Sequence, residues 1–363
     1  MPCAVFASLG LALSPVFAAA GPPAGTPSPP QLRGVAFDGG PANASSMVLA
    51  ASAVPLNPQP TQGSQPSECE GVAPGTVPAC DYSQPDAVQF AYLSSAAYCD
   101  STALRAWDCE AGQYVPGMAD VRTFADDSVG AFAFIGRLQG QCILSFRGTS
   151  NMNGWVQDIS SFATVELPRC EYQGGSCQVG QAFLQNYQAL AGSVKEGLAS
   201  IGCEKSTPLA VTGHSLGAAV ATLAFFDLHG LGYNVIKSYT FGSPRVGNAA
   251  FALAFDVALM DTAVFRVTRA DDPIVYLPAE GPFRHVGTEV YYKGATSEGY
   301  RVCDGPMYGK DDWGEDPSCA DQNPLSGVVD LLMQCMAPCS CGHLKYLEPA
   351  KHGSMSCASS SCQ

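Results

Sequence analysis

A serine with glycine two residues to either side, Gly213-His214-Ser215-Leu216-Gly217, lies between the apolar run Leu209–Thr212 and an Ala-rich amphipathic stretch. Glycines at those places let a strand and a helix pass closely enough to force a sharp turn. That turn lifts the serine above the sheet at the helix N-terminus. A hydroxyl so presented suits nucleophilic attack on a carbonyl, with helix N–H groups at hand for the oxyanion. The chemistry also needs a base, an acid to orient it and a second oxyanion donor. The chain has five histidines. His214 adjoins the serine on the turn and reads as pointing elsewhere. His229 stands at a helix end beside Gly230, where a cation complements the helix dipole. His285 opens an apolar, aromatic run and reads as a packing residue. His343 and His352 lie downstream of the candidate acids, a usual place for the base behind such a turn, and position alone leaves the choice between them open. Asp271 and Asp272 follow the run Ala263–Val267 and are both candidates for the acid, against a solvated turn before Pro273. The Leu216 N–H is one oxyanion donor. Phe146-Arg147-Gly148-Thr149, where an apolar run stops at a glycine, offers the other through the Thr149 N–H and hydroxyl. Arg147 reads as a structural ion-pair partner. The set calls for no cofactor and no metal.

These residues need a scaffold that brings chain positions far apart to one place. Ala87–Tyr98 has helical spacing, and Ala131–Ile135 with Cys142–Phe146 reads as a hairpin. Gly180–Ile201 repeats apolar residues at helical intervals. Strand Leu209–Thr212, helix Ala218–Leu228, strand Ile236–Phe241, helix Ala249–Ala258 and strand Ala263–Val267 then follow, with His285–Tyr292 a candidate edge strand. Strands alternating with helices predict an α/β fold, a mostly parallel sheet covered on both faces. Ligands of such sheets bind beyond the carboxyl ends of the strands. Thr149, Ser215 and Asp272 each follow a predicted strand and so share that edge.

The chain carries a formal charge of −14, and only 14% of its residues are charged. With no basic run, it is not built for nucleic acid or for electrostatic capture by anionic membranes. Residues 1–20 are almost wholly apolar and end in Ala18-Ala19-Ala20, which reads as a signal peptide although no Lys or Arg precedes the run. No other segment approaches the roughly 20 apolar residues of a membrane span. Residues 21–79, rich in Pro, Ala, Gly and Ser, read as a disordered lead-in, with the sequon Asn43-Ala44-Ser45 as a glycosylation acceptor. Residues 80–363 form the globular domain. The 16 cysteines fit an oxidising compartment, so the protein is expected to be secreted or held in the secretory pathway. Removing Cys3 with the leader leaves an odd number, and Cys142, inside an apolar run, is the expected free thiol. Cys69 and Cys80 are expected to close a loop or tie the lead-in to the domain.

In this order the motifs resemble those of the class 3 (fungal-type) triacylglycerol lipases of the α/β-hydrolase superfamily. The resemblance rests on Ala96-Ala97-Tyr98-Cys99 with Ala106-Trp107-Asp108-Cys109, on Phe146-Arg147-Gly148-Thr149, and on the Gly213–Gly217 elbow. It continues through Phe241-Gly242-Ser243-Pro244-Arg245-Val246-Gly247-Asn248, Asp272-Pro273-Ile274-Val275-Tyr276-Leu277-Pro278 and His343-Leu344-Lys345-Tyr346. It implies Ser215 as nucleophile, Asp272 as acid, His343 as base, and Thr149 with Leu216 as the oxyanion hole. His285 falls at a non-catalytic position. Pairings Cys99–Cys357 and Cys303–Cys319 are implied too. Where the family often has a second cysteine three residues after Cys109, this chain has Gly112, so Cys109 is expected to find another partner.

The same resemblance implies a lid over Asn151–Phe162, where Met152, Trp155, Ile159 and Phe162 fall on one apolar stripe. The bland alternative is a surface helix packed on the core. A lid with a tryptophan favours lipid acyl chains at an oil–water interface, with a feruloyl-type esterase as the alternative within the family. A monomer is expected. Two rival readings are a binding module stabilised by zinc on Cys335, Cys339, Cys341 and His343, and a hydrolase-like protein that only binds.

Overall fold

The computed structural model describes residues 78–149, 163–278, 282–294, 298–303, 315–320, 341–347 and 355. The chain enters its first helix, α1 (Gln84–Ala96), through Ser83, whose hydroxyl accepts from the Asp86 N–H, with Pro85 in the first turn. Helix α2 (Ser101–Ala106) starts in the same way at Asp100, whose carboxylate accepts from the N–H groups of Thr102 and Ala103.

Strands β1 (Ala119–Asp126), β2 (Ala131–Leu138) and β3 (Gln141–Phe146) form an antiparallel meander. After it come β4 (Thr164–Tyr172), β5 (Gly175–Gly180), α3 (Gln181–Ser200), β6 (Leu209–His214), α4 (Leu216–Gly230) and β7 (Val235–Phe241). The short β8 (Gly247–Asn248), α5 (Ala249–Ala258), β9 (Ala263–Arg269), β10 (Phe283–Arg284), β11 (Thr288–Tyr292) and β12 (Arg301–Val302) complete the described strands and α-helices. The main sheet has eight strands in the order β1-β2-β3-β6-β7-β9-β11-β12. From β3 to β11 every neighbouring pair is parallel. A smaller sheet in the order β10-β8-β5-β4 stands apart from it.

Alternation of side chains along the strands divides the core in two. Ala133, Ile135, Leu144, Phe146 and Val211 point into one cluster, with α3, α4 and α5 packed on it. Phe132, Phe134, Ile143, Ala210 and Tyr239 point into the other, which α1 covers. Burial on both faces explains why the central strands read as unbroken apolar runs rather than as alternating ones. Helix α4 is buried almost throughout, from Leu216 to Leu228, so its sequence has an Ala-rich composition and no polar face. No described helix is long and apolar enough to cross a membrane.

Several sequence expectations change. Cys142 is buried as expected but is not free: it is bonded to Cys203, with the Cα atoms 6.1 Å apart. The first turn of β3 and the turn after α3 meet only because the helix returns the chain antiparallel to the strand, and no local pattern reveals that. Cys109 is the free, buried thiol among the described residues. A side chain at Gly112 would begin 3.1 Å from the Cys109 sulfur, so the glycine stands where a bonding partner would. Cys303–Cys319 is present, as is Cys170–Cys177, which closes the β4–β5 hairpin. Cys80, Cys99 and Cys341 are disulfide-bonded; Cys69 and Cys357 lie outside the described residues. The strand expected over His285–Tyr292 runs over Thr288–Tyr292 and is not the edge, because β12 pairs outside it. Arg147 makes no ion pair among the described residues. Its guanidinium lies over the Phe132 ring at 4.9 Å and donates to the Gly130 carbonyl.

Candidate active site

The parallel strands β3, β6, β7 and β9 deliver their carboxyl ends to one edge, and the candidate residues follow them there. Ser215 ends β6 and caps α4 with φ 62° and ψ −130°. That conformation is costly for a residue with a Cβ and persists only where the surroundings enforce it. Here they do. A Cβ on Gly213 would collide with the Gly217 carbonyl, and one on Gly217 would collide with the Phe146 carbonyl. The two glycines therefore let strand, helix and the end of β3 interpenetrate. The Ser215 N–H donates to the Phe241 carbonyl at 2.9 Å, which ties the elbow to β7.

The end of β3 presses on the serine from the other side. A Cβ on Gly148 would lie 3.0 Å from the Ser215 Cβ and would collide with the Tyr98 hydroxyl. Leu216 opens α4 directly after the serine, and Thr149 directly follows the glycine that presses on its Cβ. Met152, Trp155 and Ile159 lie outside the described residues, as do Phe162 and His352.

Asp272 and His343, 71 positions apart, meet directly. The His343 Nδ1 lies 2.9 Å and 2.8 Å from the two carboxylate oxygens of Asp272. The carboxylate also accepts from the Ile274 N–H at 2.7 Å and from the Tyr346 hydroxyl at 2.5 Å. Asp272, His343 and Ser215 are all fully buried. Burial alone would raise the pKa of Asp272 and favour its neutral form, but the facing His343 and the hydrogen bonds from His343, Tyr346 and Ile274 outweigh it and hold the carboxyl below its ordinary range. Asp272 is therefore ionised and fixes Nδ1 of His343 as the protonated nitrogen. The opposite nitrogen, Nε2, is buried and has no hydrogen-bond partner among the described residues. Asp271, the other candidate acid, turns away to Arg269 at 2.5 Å.

Gly242, Tyr346, His214 and Tyr98 make contacts around this pair that no local pattern reveals. Gly242 has φ +58°, and a Cβ there would sit 2.8 Å from the His343 ring and 2.7 Å from Asp272 Oδ2. Tyr346, quoted in the sequence motif, supplies a donor to the acid; its own proton is held firmly, since burial and the Asp272 charge raise its pKa. His214 does point away from the serine. Its Nε2–H donates to the His343 carbonyl at 2.8 Å, which leaves Nδ1 to accept from the Tyr98 hydroxyl at 2.9 Å. Burial, and then the neighbouring His343, push the His214 pKa down to about 3. It stays neutral beside His343, with ring centroids 4.5 Å apart, where a second cation would oppose imidazolium formation. His285 packs as expected and hydrogen-bonds the Val275 carbonyl at 2.9 Å.

Gly242→Ala is expected to lower kcat roughly 100-fold, because the new methyl drives His343 and Asp272 apart while leaving substrate contacts in place. Steady-state kinetics on a soluble ester checks this; an alanine variant with unchanged kcat contradicts the close approach.

A zinc site on Cys335, Cys339, Cys341 and His343 is not what the chain builds, because Cys341 is in a disulfide and His343 is engaged with Asp272; Cys335 and Cys339 lie outside the described residues. The one grouping of possible metal ligands among the described residues, Cys303, Asp316 and Cys319, includes both sulfurs of a disulfide and so offers no thiolate.

The strand order, the strained serine elbow and the buried acid–histidine pair define an α/β-hydrolase. Residues 143–281 match the family "Lipase (class 3)". It is 32% identical over 185 residues to a secreted mono- and diacylglycerol lipase of Fusarium solani, covering 49% of this chain and 53% of that protein. It is 28% identical over 254 residues to a lipase of Rhizomucor miehei, covering 66% and 65%. The solved lipase from Rhizopus microsporus var. chinensis superposes with a TM-score of 0.56 at 26% identity, over 68% of this chain and 85% of that one. The chain spans about half the length of the first of these relatives.

Proposed function

We propose that the protein is a secreted serine hydrolase that cleaves carboxylic esters of lipids through a Ser215–His343–Asp272 triad. The observation that carries the reading is the buried Asp272–His343 pair standing at the strand ends beside the strained Ser215 elbow. In the mechanism this supports, His343 Nε2 takes the Ser215 proton as the oxygen attacks the ester carbonyl. Asp272 holds the tautomer and stabilises the imidazolium, and the N–H of Leu216 together with Thr149 receives the oxyanion. Collapse of the tetrahedral intermediate breaks the carbon–oxygen bond to the alcohol, which leaves with the proton from His343. Water, deprotonated by the same nitrogen, then attacks the acyl-enzyme, releases the fatty acid and restores Ser215.

Lipid rather than a water-soluble ester is favoured by two features. The Fusarium and Rhizomucor relatives are lipases. Ser215 is fully buried, so a substrate reaches it only when a cover moves. The apolar stripe Met152, Trp155 and Ile159 suits such a cover, opening on contact with an oil–water interface. We take residues 1–20 as a signal peptide, 21–79 as a lead-in, 80–363 as the catalytic domain, and the enzyme as a monomer.

A mid-chain triglyceride and methyl ferulate, each assayed with the wild-type chain, test the substrate class. Triglyceride is expected to be hydrolysed, with a rate that rises sharply once the substrate exceeds its solubility. Hydrolysis of ferulate alone would make the protein an aromatic esterase, and equal specific rates below and above the solubility limit would remove the lid.

A further inference from the structure

Beneath the acid loop lies a group of buried charges that the reaction does not use. Arg245, from the signature after β7, is 2% exposed. Its Nη1 donates to the carbonyls of Tyr276 at 2.6 Å and Pro278 at 2.8 Å, and its backbone N–H donates to the Leu277 carbonyl at 2.8 Å. His285 takes the next carbonyl upstream, that of Val275. Four consecutive carbonyls, Val275 to Pro278, are thus held from below, while Asp272 at the head of the same loop accepts from the Ile274 N–H. The loop is pinned along its length, and with it the carboxylate that orients His343.

Another face of Arg245 meets a buried acidic side chain. Glu315 receives Nε at 2.7 Å on one oxygen and Nη2 at 2.8 Å on the other, a bidentate pair. Its nearer oxygen also lies 3.7 Å from the His285 Nε2. Glu315 belongs to no element of the sheet. It stands four residues before Cys319, whose disulfide to Cys303 anchors the segment beside β12. Burial alone would raise the Glu315 pKa, but the surrounding His285 and Arg245 outweigh it and bring it to about 2, so the carboxylate is charged. Arg266, 5% exposed, adds a second buried guanidinium to the group. Removing the Glu315 carboxylate takes two charge-assisted hydrogen bonds from a buried guanidinium and so loosens its hold on the loop.

We propose that Glu315 is a positioning residue for catalysis: delivered by the disulfide-anchored segment, it holds Arg245, and Arg245 holds the Asp272 loop in register with His343. This rests on Asp272 being the acid of the triad. It differs from a stabilising role in what it moves. A residue that only stabilises changes how much enzyme is folded; one that sets the acid loop changes the turnover of every folded molecule and leaves substrate binding alone.

The test uses the full chain with Glu315→Gln and Glu315→Asp, each assayed below its melting transition. Active sites are counted by stoichiometric reaction with an alkyl fluorophosphonate. Per titrated site, Glu315→Gln is expected to lower kcat roughly 10- to 100-fold with KM within about twofold. Glu315→Asp, which keeps the charge but cannot reach both nitrogens, is expected to fall between it and the wild type. Wild-type kcat per titrated site in Glu315→Gln overturns the proposal. Should that variant not fold, wild-type kcat in Glu315→Asp overturns it instead. A wild-type enzyme that hydrolyses esters without titrating at Ser215 would remove the triad reading itself, which separates that failure from a failure of Glu315 alone.

Discussion

Ser215→Ala is expected to reduce ester hydrolysis by roughly 10⁴- to 10⁶-fold, nearly all of it in kcat. The size follows from what the elbow does. A strained backbone, the two glycines that permit it and the convergence of β3, β6 and β7 all serve to hold one hydroxyl at the strand ends. Removing that oxygen leaves the oxyanion donors and the binding surface, which alone give only a small residual rate. Because Ser215 is fully buried and Ser→Ala removes a single atom, the variant is expected to fold and melt as the wild type does. Its loss of rate then reports on chemistry. Near-normal hydrolysis by this variant would leave the elbow without a function.

Asp272→Asn is expected to cost about 10⁴-fold in kcat. The carboxylate now accepts from His343 Nδ1, the Tyr346 hydroxyl and the Ile274 N–H. An amide in its place presents one acceptor oxygen and one donor group to three donors. Either Tyr346 or His343 then faces an N–H, and the way for His343 to relieve that clash is to turn Nδ1 into an acceptor. Nε2 becomes the protonated nitrogen and can no longer take the serine proton. Rates measured against pH distinguish this from a simple loss of charge: the wrong tautomer is relieved by hydroxide, so the deficit is expected to narrow as pH rises. Tyr346→Phe removes one donor but no acceptor and is expected to cost far less.

Much of this was legible in the chain because the determining physics is local. Glycine spacing around Ser215 encodes the turn, and unbroken apolar runs encode strands buried on both faces. Helices such as Gln181–Ser200 and Ala249–Ala258 show their period directly. What was not legible depends on long-range meetings. Cys142 reads as a small core residue from its neighbours; only the return of α3 brings Cys203 to it. The β4–β5 hairpin and the smaller sheet were missed because their strands are half-exposed and rich in polar residues, with burial on scattered positions. Gly242 carried a signal, since a glycine directly after a strand allows a positive φ, but nothing local says that His343 and Asp272 fill the space its side chain would take. Tyr98 and His214 likewise sat within recognised motifs while their partners lay far along the chain. The Arg245–Glu315 pair is of the same kind, joining residues 70 positions apart.

The most direct measurement is the site of covalent capture. Reaction of the purified protein with a long-chain alkyl fluorophosphonate, followed by peptide mapping by mass spectrometry, is predicted to give one adduct per chain, on Ser215. Triglyceride hydrolysis is predicted to disappear in proportion to it, and His343→Ala to suppress the adduct. Continued triglyceride hydrolysis with Ser215 fully modified, or capture on another residue with equal loss of activity, would contradict the account.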